Sequence, residues 1–255
     1  MIKFTKVQGI DTRYYEAGEG ETILFLHGWA APIDVYMSVL KHLEERYRVI
    51  AVETPGCGQT GEPPIGWNVS KYVDFVLDFC KEIGIDGGVL MGHSFGVRIM
   101  TKLMSEKKNE FSCKKAVIMD GAGIVPKRGM DYYARVYSYK LAKKVVSTKV
   151  GDFFFGPLWE ERRGKMGSAD YASSSDIMKH TLSLVVNEDL RHLYKDIDAE
   201  VLLIWGEKDD ATPIEDAKIM EKNMKNAALA EIKGASHYPF LDNPRTFFAI
   251  LDKFL

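Results

Sequence analysis

Gly87-Gly88-Val89-Leu90-Met91-Gly92-His93-Ser94-Phe95-Gly96 is the stretch that decides how this chain folds. Its last five residues form a G-x-S-x-G pattern. Gly87 to Met91 reads as a short buried strand. Val97-Arg98-Ile99-Met100-Thr101-Lys102-Leu103-Met104 has helical character. A serine between a strand and a helix occupies a tight, strained turn, and small neighbours let the chain pass. The turn lifts the hydroxyl clear of the sheet. It also sets it at a helix N-terminus, where developing negative charge is favoured. The pattern recurs by chance, so the strand before it and the helix after it carry the meaning.

Outward from this turn, strands and helices alternate. Ile2, Phe4 and Val7, then Ile10 and Tyr14-Tyr15 beyond Gly9, read as a two-stranded hairpin, and Gly18 to Glu21 as a turn. Thr22-Ile23-Leu24-Phe25-Leu26 is a continuous apolar run, as in a strand covered on both faces. Val35 to Arg46 is predicted helical, Tyr47 to Val52 a strand, and Val69 to Ile83 a helix. Beyond the serine turn, Cys113 to Met119 and Val201 to Trp205 are predicted strands. Ile214 to Asn223 is a helix, Ala227 to Ile232 a strand, and Pro244 to Leu255 a closing helix. Such alternation implies right-handed crossovers and a mostly parallel sheet with helices on both faces.

One stretch breaks the rhythm. Gly123 to Ile197 contains no convincing strand and is rich in aromatic and basic residues. It reads as helices over Met130 to Val146, near Gly151 to Phe155, and over Ser174 to Asn187. A helical insertion between parallel strands is most simply a lid over their carboxyl ends, where open α/β sheets bind ligands. Gly123, Gly129, Gly151, Gly164 and Gly167 are candidate hinges.

Composition narrows the function classes. The chain has 255 residues, 46% apolar and 27% charged, with a formal net charge of -2. That suits one large globular domain and argues against a nucleic-acid footprint. Lys107-Lys108, Lys114-Lys115 and Lys143-Lys144 read as solvated faces. No run approaches the ~18 apolar residues of a membrane span, and Met1 to Lys6 has no apolar leader core. A cytoplasmic protein is expected, with Cys57, Cys80 and Cys113 as reduced thiols. No cysteine and histidine pattern suggests a metal site, so no metal and no cofactor are expected.

A serine hydroxyl needs a nearby base to become a nucleophile. His93 lies beside Ser94 in the turn, and its side chain is expected to point away from the hydroxyl. His42 lies in a charged helix, and His180 and His192 lie in the insertion. His237 is the candidate base. It lies in Gly234-Ala235-Ser236-His237-Tyr238, after the last strand and on the same sheet edge as Ser94. The base needs an acid to hold its tautomer. The loop Gly206-Glu207-Lys208-Asp209-Asp210, also at that edge, offers Glu207, Asp209 and Asp210. Serine, acid, histidine is the chain order expected when the serine occupies such a turn. Oxyanion donors are expected from the backbone N–H of Phe95 and, in the loop His27-Gly28-Trp29-Ala30, that of Trp29. His27 is expected to brace its loop.

Together these residues resemble the α/β-hydrolase fold family along nearly the whole chain. The resemblance rests on His27-Gly28-Trp29, Pro55-Gly56-Cys57-Gly58, Gly92 to Gly96, Gly206-Glu207-Lys208-Asp209 with Pro213, and Gly234 to His237. It implies a mostly parallel eight-stranded sheet flanked by helices. Residues 1–122 and 198–255 would form the core and 123–197 an inserted helical cap. It implies a Ser94–His237–Asp209 triad and an oxyanion hole from Trp29 and Phe95. Asp209 is preferred over Asp210 because relatives place the acid three residues after the glycine and four before the proline. Asp120 stands where some relatives place an alternative acid. The Pro55 to Gly58 loop departs slightly from the usual G-x-G-x-S pattern. Ser94 separates the chain from cousins with an aspartate nucleophile, and the cap is similar to that of uncharacterised bacterial hydrolases.

The expected function is a serine hydrolase cleaving a small or medium carboxylic ester or related acyl compound, with a small-molecule substrate as partner. The same triad would also serve C–C bond hydrolysis, perhydrolysis or iminopeptidase activity, or a slow-turnover binding protein. Lys127, Arg128 and Arg135 are candidate contacts for a substrate carboxylate, and Glu160, Glu161 and Asp170 for an amine. Oligomeric state is not readable.

Overall fold

The computed structural model describes residues 1–125 and 174–255. The expected helices at Met130 to Val146 and Gly151 to Phe155 lie outside the described residues. So do Gly129, Gly151, Gly164, Gly167, Lys127, Arg128, Arg135, Glu160, Glu161 and Asp170.

The strands are β1 (Ile2–Val7), β2 (Ile10–Ala17), β3 (Thr22–Leu26), β4 (Arg48–Val52), β5 (Val89–His93), β6 (Lys115–Met119), β7 (Glu200–Gly206) and β8 (Ala227–Ile232). They form one sheet in the order β1-β2-β4-β3-β5-β6-β7-β8. β1 pairs antiparallel with β2, and β2 with β4. Every pairing from β4 to β8 is parallel. The parallel strands therefore deliver their carboxyl ends, and the loops that follow, to one edge.

The two-residue period of each strand splits the core. Leu24 and Leu26 of β3, Ile118 of β6, and Leu203 and Trp205 of β7 face one layer. There they meet α2 (Val69–Ile83), α3 (Phe95–Glu106) and α5 (Ile214–Asn223). Ile23 and Phe25, Val117 and Met119, and Leu202 and Ile204 face the other layer. That layer is closed by α1 (Met37–Leu43), α6 (Pro239–Asp242) and α7 (Pro244–Phe254). Continuous apolar strands are what burial on both faces demands. α2 begins where the Asn68 side chain accepts from the Lys71 N–H. It ends at Gly84, whose φ of 72° a side chain rarely adopts.

Several boundaries differ from the sequence reading. Val35 to Arg46 is not one helix: Ile33–Tyr36 is a tight turn and α1 follows at Met37. The N–H groups of Arg46 and Tyr47 fold back to the Leu43 carbonyl, so β4 begins only at Arg48. β6 begins at Lys115 rather than Cys113, because its pairing with β7 starts at Lys115 and Glu200. β5 begins at Val89 and runs through His93. In the expected insertion, α4 (Asp176–Val186) lies within the predicted helix and is capped by Ser175. A short turn at Arg191–Asp196 then carries Leu193, Tyr194 and Ile197 into buried positions.

A buried ion pair ties the hairpin to the loops around the sheet edge. Arg13 of β2 reaches Glu53 at 2.7 Å and Asp34 at 2.6 Å. Glu53 is fully buried and also accepts from the N–H groups of Ile33 and Gln59. The Asp34 side chain is 61% exposed. Removing one partner of a buried pair strands the other, whereas an exposed pair contributes little. Glu53→Ala is expected to lower the unfolding free energy by about 3 kcal/mol. Asp34→Ala should cost under about 1 kcal/mol. Denaturant titration of both variants checks that order.

Candidate active site

Ser94 stands between β5 and α3 with φ 49° and ψ -114°. A non-glycine residue rarely takes such a φ, at a cost of about 1–3 kcal/mol. Neighbouring chain holds it there. Its N–H donates to the Met119 carbonyl at 3.1 Å, and its carbonyl accepts from Ala122 at 3.0 Å. A Cβ at position 96 would run into the Leu26 carbonyl oxygen, so Gly96 lets the turn lie against the end of β3. Ser94 is half-buried while Gly92, His93, Phe95 and Gly96 are buried.

The structure brings the predicted partners to this serine. His237 Nε2 lies 3.1 Å from Ser94 Oγ, and His237 Nδ1 lies 2.8 Å from Asp209 Oδ2. With Nδ1–H donating to the carboxylate, Nε2 is left as the acceptor for the serine proton. Of the three loop acids, Glu207 is exposed and accepts from the Gly234 N–H. Asp210 is exposed, and Asp209 is buried. Burial alone would raise the Asp209 carboxyl. Hydrogen bonds from His237, the Thr212 hydroxyl and the Thr212 N–H outweigh it and hold it down at about 2.

Phe95 is the first residue of α3, and Trp29 lies in the loop after β3. Among the described residues, neither backbone N–H has a hydrogen-bond partner. Their rings meet edge to face at 5.3 Å. The loop presses against the serine turn: a Cβ on Gly28 would sit 3.4 Å from Ser94 Cβ. His27 braces the loop, as expected. Its Nδ1–H donates to the Gly28 carbonyl at 2.7 Å, and its Nε2 accepts from the Thr54 N–H at 2.9 Å. Full burial lowers its pKa and keeps it neutral.

Residues 23–250 match the alpha/beta hydrolase family. The chain belongs to that family. Over 248 residues it is 24% identical to a pimeloyl-[acyl-carrier protein] methyl ester esterase of Legionella pneumophila, covering 93% of this chain and 96% of that protein. It is 23% identical over 261 residues to a 2-hydroxy-6-oxo-6-(2'-aminophenyl)hexa-2,4-dienoic acid hydrolase of Metapseudomonas resinovorans, covering 96% of this chain and 87% of the relative. Its fold resembles that of an esterase from Exiguobacterium antarcticum, with TM-score 0.76, 22% identity, and coverage of 99% and 98% of the two chains. Among the described residues, no helix is long and apolar enough to cross a membrane.

In this alpha/beta hydrolase, His93 holds a place the sequence did not disclose. Its Nε2–H donates to the His237 carbonyl at 2.7 Å. Its Nδ1 accepts from the Tyr36 hydroxyl at 2.8 Å, and that hydroxyl accepts from the Gly28 N–H at 3.0 Å. One chain thus links the loop of Trp29, the residue before Ser94, and the backbone of His237. Burial, with His237 beside it, pushes the His93 pKa down to about 3, so it stays neutral. The tight turn at Ile33–Tyr36 is what aims Tyr36, 57 residues away in the chain, at this histidine.

Asp120 does not occupy the acid position. Asp209, not Asp120, meets His237 Nδ1. Asp120 is buried at the end of β6 with φ 43°, and its Oδ1 accepts from the Gly206 N–H at 2.9 Å.

A cavity of about 330 Å³ opens on Ser94. Trp29, Phe95, Ile124, Leu182 and Val185 give it apolar walls, and Arg98 and Asp216 add charge. Arg98 is anchored by donating to the Glu188 carbonyl at 2.6 Å. Burial, then Glu215, raises the Asp216 carboxyl to about 6.

Tyr36→Phe would leave the Gly28 N–H without its acceptor and His93 Nδ1 without its donor. An expected loss of about 1–3 kcal/mol of stability follows from two stranded buried groups. Chemical denaturation measures it, and an unchanged midpoint would remove the hydroxyl from any role in holding this loop.

Proposed function

We propose that this chain is a serine hydrolase that cleaves a small or medium carboxylic ester, or a related acyl compound, through an acyl-enzyme. The observation that carries the reading is the line of contact from Ser94 Oγ to His237 at 3.1 Å and on to buried Asp209 at 2.8 Å. His237 Nε2 takes the serine proton as Oγ attacks the carbonyl carbon. Asp209, ionised, stabilises the imidazolium. The N–H groups of Trp29 and Phe95 receive the developing oxyanion, each such donor being worth about 10²–10³ in rate. His237 then passes its proton to the leaving alcohol. Water, deprotonated by the same imidazole, attacks the acyl-enzyme and releases the acid and free Ser94.

The cavity fits an apolar acyl group of modest length. Leu182, Val185 and Val186 of α4 reach it from the 123–197 segment, in keeping with that segment serving as a cap over a core of 1–122 and 198–255. The activity of the Legionella relative on a methyl ester supports an ester substrate. The free thiols of Cys57, Cys80 and Cys113 suit a cytoplasmic setting.

The test is hydrolysis of p-nitrophenyl esters from acetate to laurate. Wild type is expected to turn over the shorter and middle members. Ser94→Ala and His237→Ala should each lower kcat by about 10⁴ or more. Equal activity in wild type and Ser94→Ala would remove Ser94 as the nucleophile.

A further inference from the structure

Asp120 is a buried carboxyl that the ester mechanism leaves unused. Its Oδ1 accepts from the Gly206 N–H at 2.9 Å. Its Oδ2 is buried, and no donor among the described residues reaches it. A second carboxylate stands close by: one carboxyl oxygen of Asp120, one of Asp209 and a ring nitrogen of His237 lie within 4.8 Å of one another. The Thr212 hydroxyl has one proton and two acceptors here, Asp209 Oδ2 at 2.7 Å and the Asp120 carbonyl at 3.0 Å, so it does not serve the Asp120 side chain. Three acidic or imidazole donors so close invite comparison with a metal site, but His237 Nδ1 and Asp209 Oδ2 are already bonded to each other.

Two adjacent buried carboxylates with an unsatisfied oxygen are an arrangement that proteins avoid. A single proton on Oδ2 resolves it, because the orphaned acceptor becomes a donor with the Asp209 carboxylate close by to accept. We propose that Asp120 is held as a neutral carboxylic acid and donates its Oδ2 proton to the Asp209 carboxylate, as a positioning residue behind the triad. The proposal deepens the serine-hydrolase reading and takes its meaning from it. The surrounding groups agree. Burial, then the charges of Asp209 and Asp242, push the Asp120 carboxyl up to about 9, while the Gly206 N–H pulls it only part of the way back. His237 and the neutral His93 stand at the same edge, with Glu207 and Asp210 exposed in the Asp209 loop and Asp216 lining the adjoining cavity. The extra donor locks the Asp209 carboxylate in the plane that meets His237 Nδ1, and it favours the ionised form of Asp209.

Linkage supplies a test that needs no substrate. A native state that keeps a proton which the unfolded chain gives up near its ordinary value of about 3.9 loses stability as pH rises from there. The loss continues up to the folded value of about 9. Asp120→Asn carries no such proton, yet it keeps a donor for Asp209 and an acceptor for Gly206. Thermal unfolding of both proteins across that range is expected to show the Asn variant gaining steadily on wild type as pH rises. A difference that stays flat or shrinks overturns the proposal. Should the Asn variant fail to fold, infrared spectra of wild type decide. At pH about 8, above the value of about 6 for Asp216, a protonated-carboxyl C=O band that shifts in D₂O is expected, and its absence overturns the proposal.

Ester turnover adds the positioning readout. Asp120→Asn should keep kcat near wild type, and Asp120→Ala should lower kcat roughly tenfold with KM steady. Loss of kcat in the Asn variant as large as in the Ala variant counts against the donor role. A wild type silent on every ester would instead sink the hydrolase reading and leave the thermal and infrared results standing.

Discussion

The backbone of Ser94 is the constraint on which the rest of the site depends. Its φ of 49° is strained, and it persists because two strands and the chain beyond one of them hold it from outside. β6 supplies the Met119 carbonyl, the chain just beyond β6 supplies the Ala122 N–H, and β3 presses its Leu26 carbonyl under Gly96. The strain of about 1–3 kcal/mol is comparable to burying one large apolar side chain. Leu26, Met91, Val97 and Ile118 around the turn are all fully buried. The surrounding core can therefore hold the turn without becoming marginal. In return, the hydroxyl projects from a rigid corner with the first N–H groups of α3 beside it.

The same sheet edge gathers groups that burial alone would neutralise. His27 and His93 do stay neutral, and each uses its ring to hold a loop. Asp209 escapes because four donors converge on it: the N–H groups of Ala211 and Thr212, the Thr212 hydroxyl, and His237 Nδ1. Environment separates two carboxyls that lie side by side, one held at about 2 and the other pushed to about 9. Such a division marks which group carries the charge. It places one negative charge against one imidazole, the balance that an imidazolium-forming step requires.

How much of this was legible in the sequence follows from the range of each interaction. The serine turn is local, so G-x-S-x-G between a strand and a helix announced it. Strands at 22–26 and 201–205 were legible because both-face burial makes them continuous apolar runs, whereas the edge strand at 227–232 is only partly buried and carries Glu231. The convergence of Ser94, His237 and the acidic loop followed from parallel topology, since every loop after a parallel strand reaches one edge. Choosing Asp209 over Glu207 and Asp210 rested on resemblance alone, because burial, which separates the three, depends on the folded chain. The Tyr36–His93–His237 chain was not legible. Tyr36 sits in a stretch that reads as plain amphipathic helix, and only the tight turn before α1 aims its hydroxyl. Nor could sequence show that Asp120 lacks a partner on Oδ2, a fact of packing.

The distant hairpin also enters the site's architecture, through polar links rather than apolar ones. Arg13 of β2 grips Glu53, Glu53 holds the Ile33 N–H, and Ile33 opens the turn that carries Tyr36. Tyr36 then holds Gly28 and His93, and His93 holds the His237 carbonyl. Each neutral hydrogen bond in that series contributes only about 0.5–1.5 kcal/mol net. What the series supplies is position. A buried donor or acceptor has few other places to go, so each link narrows the next. The charged link at Arg13 and Glu53 is the costly one to break, because both groups lie out of water and neither can be rehydrated without opening the sheet edge. That anchor stands at the other end of the series from His237, and through Ile33, Tyr36 and Gly28 it still fixes the loop that carries Trp29.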